Sequence, residues 1–75
     1  MDVETTAETL SPIQRRGVLN ARFYEPDCWI VPVGSGRGMV PAGIAVRSID
    51  GIVLNDFGIR VRDHLMANKS RYDLS

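Results

Sequence analysis

Apolar and polar residues change rhythm several times along the chain, and each change predicts an element. Residues 1–10 (MDVETTAETL) hold few large hydrophobes among Thr, Glu and Asp. Such a segment does not offset its own ordering entropy and is expected to be a disordered acidic tail. Ser11-Pro12-Ile13-Gln14 then reads as a helix start: Ser11 caps, Pro12 suits the first helical position, and Gln14 completes a capping box. Gly17 offers a left-handed stop, so one or two turns are expected. Continuation towards Arg22 would place a glycine inside the helix at about 1 kcal/mol. From Val18 to Tyr24 the period becomes two. Leu19, Ala21 and Phe23 share one side and Asn20, Arg22 and Tyr24 the other, the pattern of a half-buried strand. Glu25-Pro26-Asp27 turns the chain. Cys28 to Val33 is the most strand-like run, and Pro32, which has no N–H to donate, places it at an edge or a bulge.

Gly34-Ser35-Gly36-Arg37-Gly38 reads as a flexible hairpin tip, with Met39 to Ser48 returning as a strand centred on Ile44-Ala45-Val46. The Asp50-Gly51 pair between Ile49 and Ile52 is a hairpin signal, and Ile52-Val53-Leu54 is the strand that follows it. Residues 55–66 admit two readings. Phe57, Ile59 and Val61 alternate with Gly58, Arg60 and Arg62, as in a strand; Phe57, Val61 and Leu65 are spaced by four, as in a helix capped by Asn55 or Asp56. The strand through Val61, with a short helix from about Asp63, is the preferred one. Residues 68–75 read as a second loose tail. The sum is an α+β fold: a small twisted antiparallel β-meander of four to five short strands with one or two short helices and disordered termini. The folded body spans 11–67, with a core of Leu19, Phe23, Ile30, Val31, Val33, Ile44, Val46, Ile52, Leu54, Ile59 and Val61.

Composition narrows the function classes. The chain has 75 residues, one Cys, one His and one Trp, and nine basic residues balance nine acidic ones. A lone Cys28 forms no internal disulfide and fits a reducing compartment, where it reads as a small hydrophobe rather than a catalytic thiol. No Cys/His metal module and no cofactor motif can be assembled. The first residues lack a basic start and an apolar run, so no secretory signal is expected. Apolar runs fall far short of the roughly 20 residues of a membrane helix. A cytoplasmic protein with no membrane partner is expected, and a monomer.

Charge is neutral in sum but uneven in place. Residues 1–14 contain three acids and no base; residues 15–47 contain five arginines against Glu25 and Asp27; residues 48–75 carry four of each sign. Arg15, Arg16, Arg22, Arg37 and Arg47 can decorate one hairpin body, with Tyr24 and Trp29 nearby. Arg, Tyr and Trp are the residue types that dominate binding hot spots, which makes these seven the candidate partner-binding residues. Aromatics among bases also fit single-stranded nucleic acid, although the sequence pI of about 6.5 lacks the strong basic footprint of such binders.

Other motifs carry less. The Gly34–Gly38 segment lacks the Lys-Ser/Thr pair of a phosphate loop, and the position three after Gly36 is Met39, which breaks a dinucleotide fingerprint. Asp63-His64 point to different faces of either element, and His64 is expected on the solvated surface. Glu25 and Asp27 flank Pro26 in a turn and read as solvated rather than as an acid–base pair. No nucleophile–base set can be assembled, so no catalytic residue is expected and the chain reads as non-enzymatic.

In size, in its acidic tail, in the Arg-decorated body (Arg15, Arg16, Arg22, Arg37, Arg47) and in lacking catalytic residues, the chain resembles the small regulators that tailed phages encode to seize a host bacterial RNA polymerase. That resemblance implies binding to a polymerase subunit, inhibition of sigma-dependent transcription initiation, and antitermination as a further activity in the host cytoplasm. It carries no residue over by motif. The alternatives are a small single-stranded nucleic-acid-binding module, or an inhibitor of another host enzyme.

Overall fold

Helix starts in this chain are written in short polar side chains, and the computed structural model, which describes residues 2–25, 28–32, 34 and 36–74, places a cap at three of them. Helix α1 (Val3–Thr9) begins at Asp2, whose Oδ1 accepts from the Thr5 N–H at 2.7 Å. Helix α2 (Pro12–Leu19) carries the expected capping box: Ser11 Oγ accepts from the Gln14 N–H at 3.1 Å, and Gln14 Oε1 accepts from the Ser11 N–H at 2.9 Å. Two short strands follow, β1 (Arg22–Tyr24) and β2 (Cys28–Ile30), then β3 (Ala45–Ser48) and β4 (Gly51–Leu54). Helix α3 (Asp56–Ala67) starts at Asn55, and a single 3₁₀ turn spans Ser70–Tyr72. The chain is a small α+β domain with a four-stranded antiparallel sheet.

The sheet runs in the order β1-β2-β4-β3. It is therefore two hairpins joined through β2 and β4 rather than a meander in which each strand pairs with the next. Residues 31–44 carry the chain past β4 to the far edge. Gly34 and residues 36–38 belong to that crossing and are not the tip of a β2–β3 hairpin; Ser35 of the expected tip lies outside the described residues. Met39 to Ile44 form turns instead of strand. The β3–β4 hairpin does form, but Ser48 pairs with Gly51, so its two-residue loop is Ile49-Asp50 and Gly51 supplies a positive φ of 120°.

Residues 56–67 form one continuous helix capped by the extended Asn55, which corrects the preferred strand reading. Gly58, Val61 and Leu65 are its buried residues. Gly58 is where the helix meets the sheet: a Cβ there would lie 2.0 Å from the Ile44 carbonyl oxygen and 3.3 Å from Leu54 Cβ. Asn55 secures this junction by accepting from the Gly58 N–H (2.8 Å) and donating to the Gly43 carbonyl (2.9 Å). Packing and capping together outweigh the poor helix propensity of glycine. Gly17 likewise sits inside α2, buried, and stops nothing.

The two ends carry more structure than their composition predicts. Thr6, Ala7 and Leu10 are buried, as is Tyr72, and α1 packs on α3. Arg15 donates to the carbonyls of Ala7 and Glu8, both at 2.9 Å, and so satisfies the C-terminal end of α1. Arg71 bridges Glu4 (2.8 Å) and Glu8, tying the acidic N-terminal helix to the other end of the chain. Tyr72 lies under both guanidinium groups, 4.9 Å from Arg15 and 5.3 Å from Arg71, and its hydroxyl shares a hydrogen bond with His64 Nε2 at 2.8 Å. These contacts are long-range, so nothing in the tails' own residues announces them.

The core follows from the same rearrangement. Val31, Ile44, Leu54 and Val61 are buried as expected, and Leu19, Ile52 and Ile59 pack partly against them. Ala7, Leu10, Val18, Met39, Leu65 and Tyr72 join the core without having been expected there. Phe23 and Val46, expected inside, are 48% and 49% exposed. Val33 lies outside the described residues, as do Pro26 and Asp27 of the expected turn.

Candidate protein-binding face and cleft

Antiparallel register decides which side of the sheet each residue occupies, because directly paired residues point the same way and neighbours alternate. Ala45 pairs with Leu54, and both are buried against the helices. By alternation Trp29, Phe23, Arg47 and Ile52 share that side. Arg62 of α3 confirms the assignment: its guanidinium lies 4.1 Å above the Trp29 ring, and Phe23 sits 5.2 Å from Trp29 on the other flank. Trp29 is thus a packed ring beneath a helix and not an exposed anchor, which corrects its place among the expected binding residues.

The opposite side has a different character. One cross-strand row runs Arg22–Ile30–Val53–Val46, crossing all four strands in direct register. Tyr24 and Cys28 form the adjoining row. These residues are exposed or half-buried, with Tyr24 at 50% and Val46 at 49%. At the hairpin tip beside them Ile49 is fully exposed, at 101%. An apolar row of Ile30, Val53 and Val46 flanked by Arg22 and Tyr24 is the composition of an interface centre with a polar margin. Cys28 belongs to this half-buried row and is unpaired, not a core residue.

A cleft of about 640 Å³ opens at one end of the sheet, between the crossing loop and the β3–β4 hairpin, and residues of both sheet sides line it. Val31, Val40, Pro41 and Ile52 form its apolar walls, and Arg37 and Arg47 stand at its rim with Asp50. The loop is held from below. Gln14, having completed the α2 capping box, donates from Nε2 to the Arg37 carbonyl at 2.9 Å. Gly36 approaches the hairpin so closely that a Cβ would fall 2.9 Å from Ile52 Cγ1.

The seven expected binding residues therefore separate. Arg22 and Tyr24 lie on the open face, and Arg37 and Arg47 at the cleft. Arg15 and Trp29 are engaged inside the molecule, and Arg16 is exposed beside Pro12, Arg71 and Asp73 on the helical side. The expectation of one basic face is corrected: two sheet sides and a helix share these residues. Sequence reasoning missed Val46, Val53, Ile30 and Ile49 as surface residues because strand periodicity tells two sides apart but not which is covered. His64, expected in solvent, is half-buried against Tyr72.

Comparison with family models, with curated proteins and with solved structures finds no match to this chain. Among the described residues no cluster of three or more His, Cys, Asp and Glu is placed to hold a metal ion, and no helix is long and apolar enough to cross a membrane.

Proposed function

We propose that this chain is a non-enzymatic regulatory protein that acts by docking a larger protein on the open face of its sheet. The observation that carries the reading is the Arg22–Ile30–Val53–Val46 row, in which an apolar band across β2, β4 and β3 ends at Arg22 of β1, on the side away from the buried Ala45–Leu54 pair. In a domain this small each half-exposed Val or Ile competes with core formation, and apolar surface retained on one face fits a partner better than solvent. The resemblance to phage regulators makes bacterial RNA polymerase the first partner to test, with inhibition of initiation or antitermination in the host cytoplasm as the outcome. An inhibitor of another host enzyme would use the same face. The test is a tagged pull-down from bacterial lysate with mass spectrometry: polymerase subunits are expected in the eluate, and their absence removes polymerase as the partner.

Arg22 and Tyr24, adjoining on the open face, favour a second reading, single-stranded nucleic acid stacked on Tyr24. It calls for affinity for an oligonucleotide that falls steeply with salt. A flat fluorescence-polarisation titration at low salt discards it.

A further inference from the structure

We propose that the cleft between the crossing loop and the β3–β4 hairpin takes an acidic, apolar-flanked segment of the protein that docks on the open face; this rests on the reading above and specifies the partner's chemistry. Four observations converge. The cleft sits at the end of the sheet and adjoins the open face, since Ile30, Ser48 and Gly51 line it from that side while Arg47 and Ile52 line it from the helical side. Its rim is basic, with Arg37 and Arg47 against Asp50. Neither arginine side chain has an ion pair or hydrogen bond among the described residues, as is also so of the exposed Arg16, Arg22 and Arg60, so both are open to a ligand. Two contacts seat the described part of the loop: Gln14 donates to the Arg37 carbonyl, and Gly36 lies close against Ile52.

The chemistry of the lining selects the ligand class. Two arginines among apolar lining residues match carboxylates carried beside Leu- or Val-like side chains. None of the lining residues is aromatic, so a nucleobase finds no ring on which to stack. Two arginines also make no track along a phosphate backbone. A volume of about 640 Å³ accommodates two or three side chains of an extended peptide.

The experiment is an NMR titration of the ¹⁵N-labelled full chain with the acetylated, amidated peptide Leu-Glu-Val-Glu-Leu. Its Gln counterpart, a thymidine oligonucleotide and an alkyl carboxylate run in parallel. Saturable shifts are expected at Gly36, Gly38, Arg47, Ser48 and Gly51 with the Glu peptide and not with the Gln peptide. Arg37→Gln and Arg47→Gln are each expected to weaken binding about fivefold, with the rest of the spectrum unchanged because both side chains are exposed. Arg16→Ala, on the helical side, is expected to leave this titration intact. Absent cleft shifts, equal shifts from the Gln peptide, or saturation only by the oligonucleotide or the alkyl carboxylate would each overturn the proposal. Peptide binding in a chain that captures no large protein would instead overturn the docking reading alone.

Discussion

The helical layer and the exposed surfaces of the sheet and cleft treat the same residue type in opposite ways. On the helical side, Arg15 closes the end of α1, Arg62 covers Trp29, and Arg71 joins Glu4 and Glu8 across the chain ends. On the open face and at the cleft, Arg22, Arg37 and Arg47 meet solvent beside Val46, Val53 and Ile52. Apolar residues divide the same way: Leu65 and Val61 are wholly buried under the sheet, and Val46 is half in water above it. The lesson is that residue type alone assigns neither role. An arginine becomes structural when carbonyls, carboxylates or a ring surround it, and is free to bind when the fold leaves it at a rim.

The comparison breaks most severely at Gly58. Gly58→Ala puts a methyl against the Ile44 carbonyl, so α3 must lift from the sheet, at about 3 kcal/mol or more. A domain of this size has little stability to spare. Circular dichroism should show it largely unfolded at 25 °C; a native melting curve would mean that the helix–sheet contact yields easily. Next in size is the contrast between the two sides. Leu65→Ala should cost about 2–5 kcal/mol. Val46→Thr should stay within about 0.5 kcal/mol. Urea melts of the two variants check this, and equal losses would show that Val46 belongs to the core. Tyr72→Phe removes only the hydroxyl shared with His64 and should cost about 1 kcal/mol.

The smallest expected effect is at the N-terminal cap. Hydrogen bonds from Thr5, its backbone N–H first and its side chain second, hold the Asp2 carboxyl below its ordinary value of 3.8. With the folded-state value depressed, the cap's contribution is complete above 3.8 and is lost as pH falls through the lower, folded value. The Thr5 amide should therefore keep its capped chemical shift down to a pH below the usual aspartate midpoint. A transition at or above 3.8 would mean that the cap is not formed.

How much of this was legible in the sequence depends on whether a signal is local. The α2 capping box is complete within four residues and formed as read. So did β1, shortened to its last three residues, and β4, one residue longer than read. The alternation of Phe57, Ile59 and Val61 misled because Gly58, Arg60 and Arg62 mimic the outer face of a strand, and the role of Gly58 is set by the Ile44 carbonyl, which lies elsewhere in the chain. Helix α1 was illegible for a related reason: its cap is local, but Arg15, Arg71 and the α3 surface that stabilise it lie elsewhere in the chain. For the candidate site, the arginines and Tyr24 were found by composition. Their division between the open face, the cleft and the interior required the strand order, which pairs β2 with β4 and no local pattern specifies.

The most direct test of the docking face compares three chains on purified bacterial core RNA polymerase: wild type, Val46→Asp on the open face, and Arg16→Ala on the helical side. Binding is read by co-elution in size-exclusion chromatography, with melting curves confirming that all three are folded. The account predicts co-elution of wild type and Arg16→Ala and its loss in Val46→Asp. Failure of the wild type to co-elute would contradict the polymerase assignment, and co-elution of Val46→Asp at wild-type level would contradict the face.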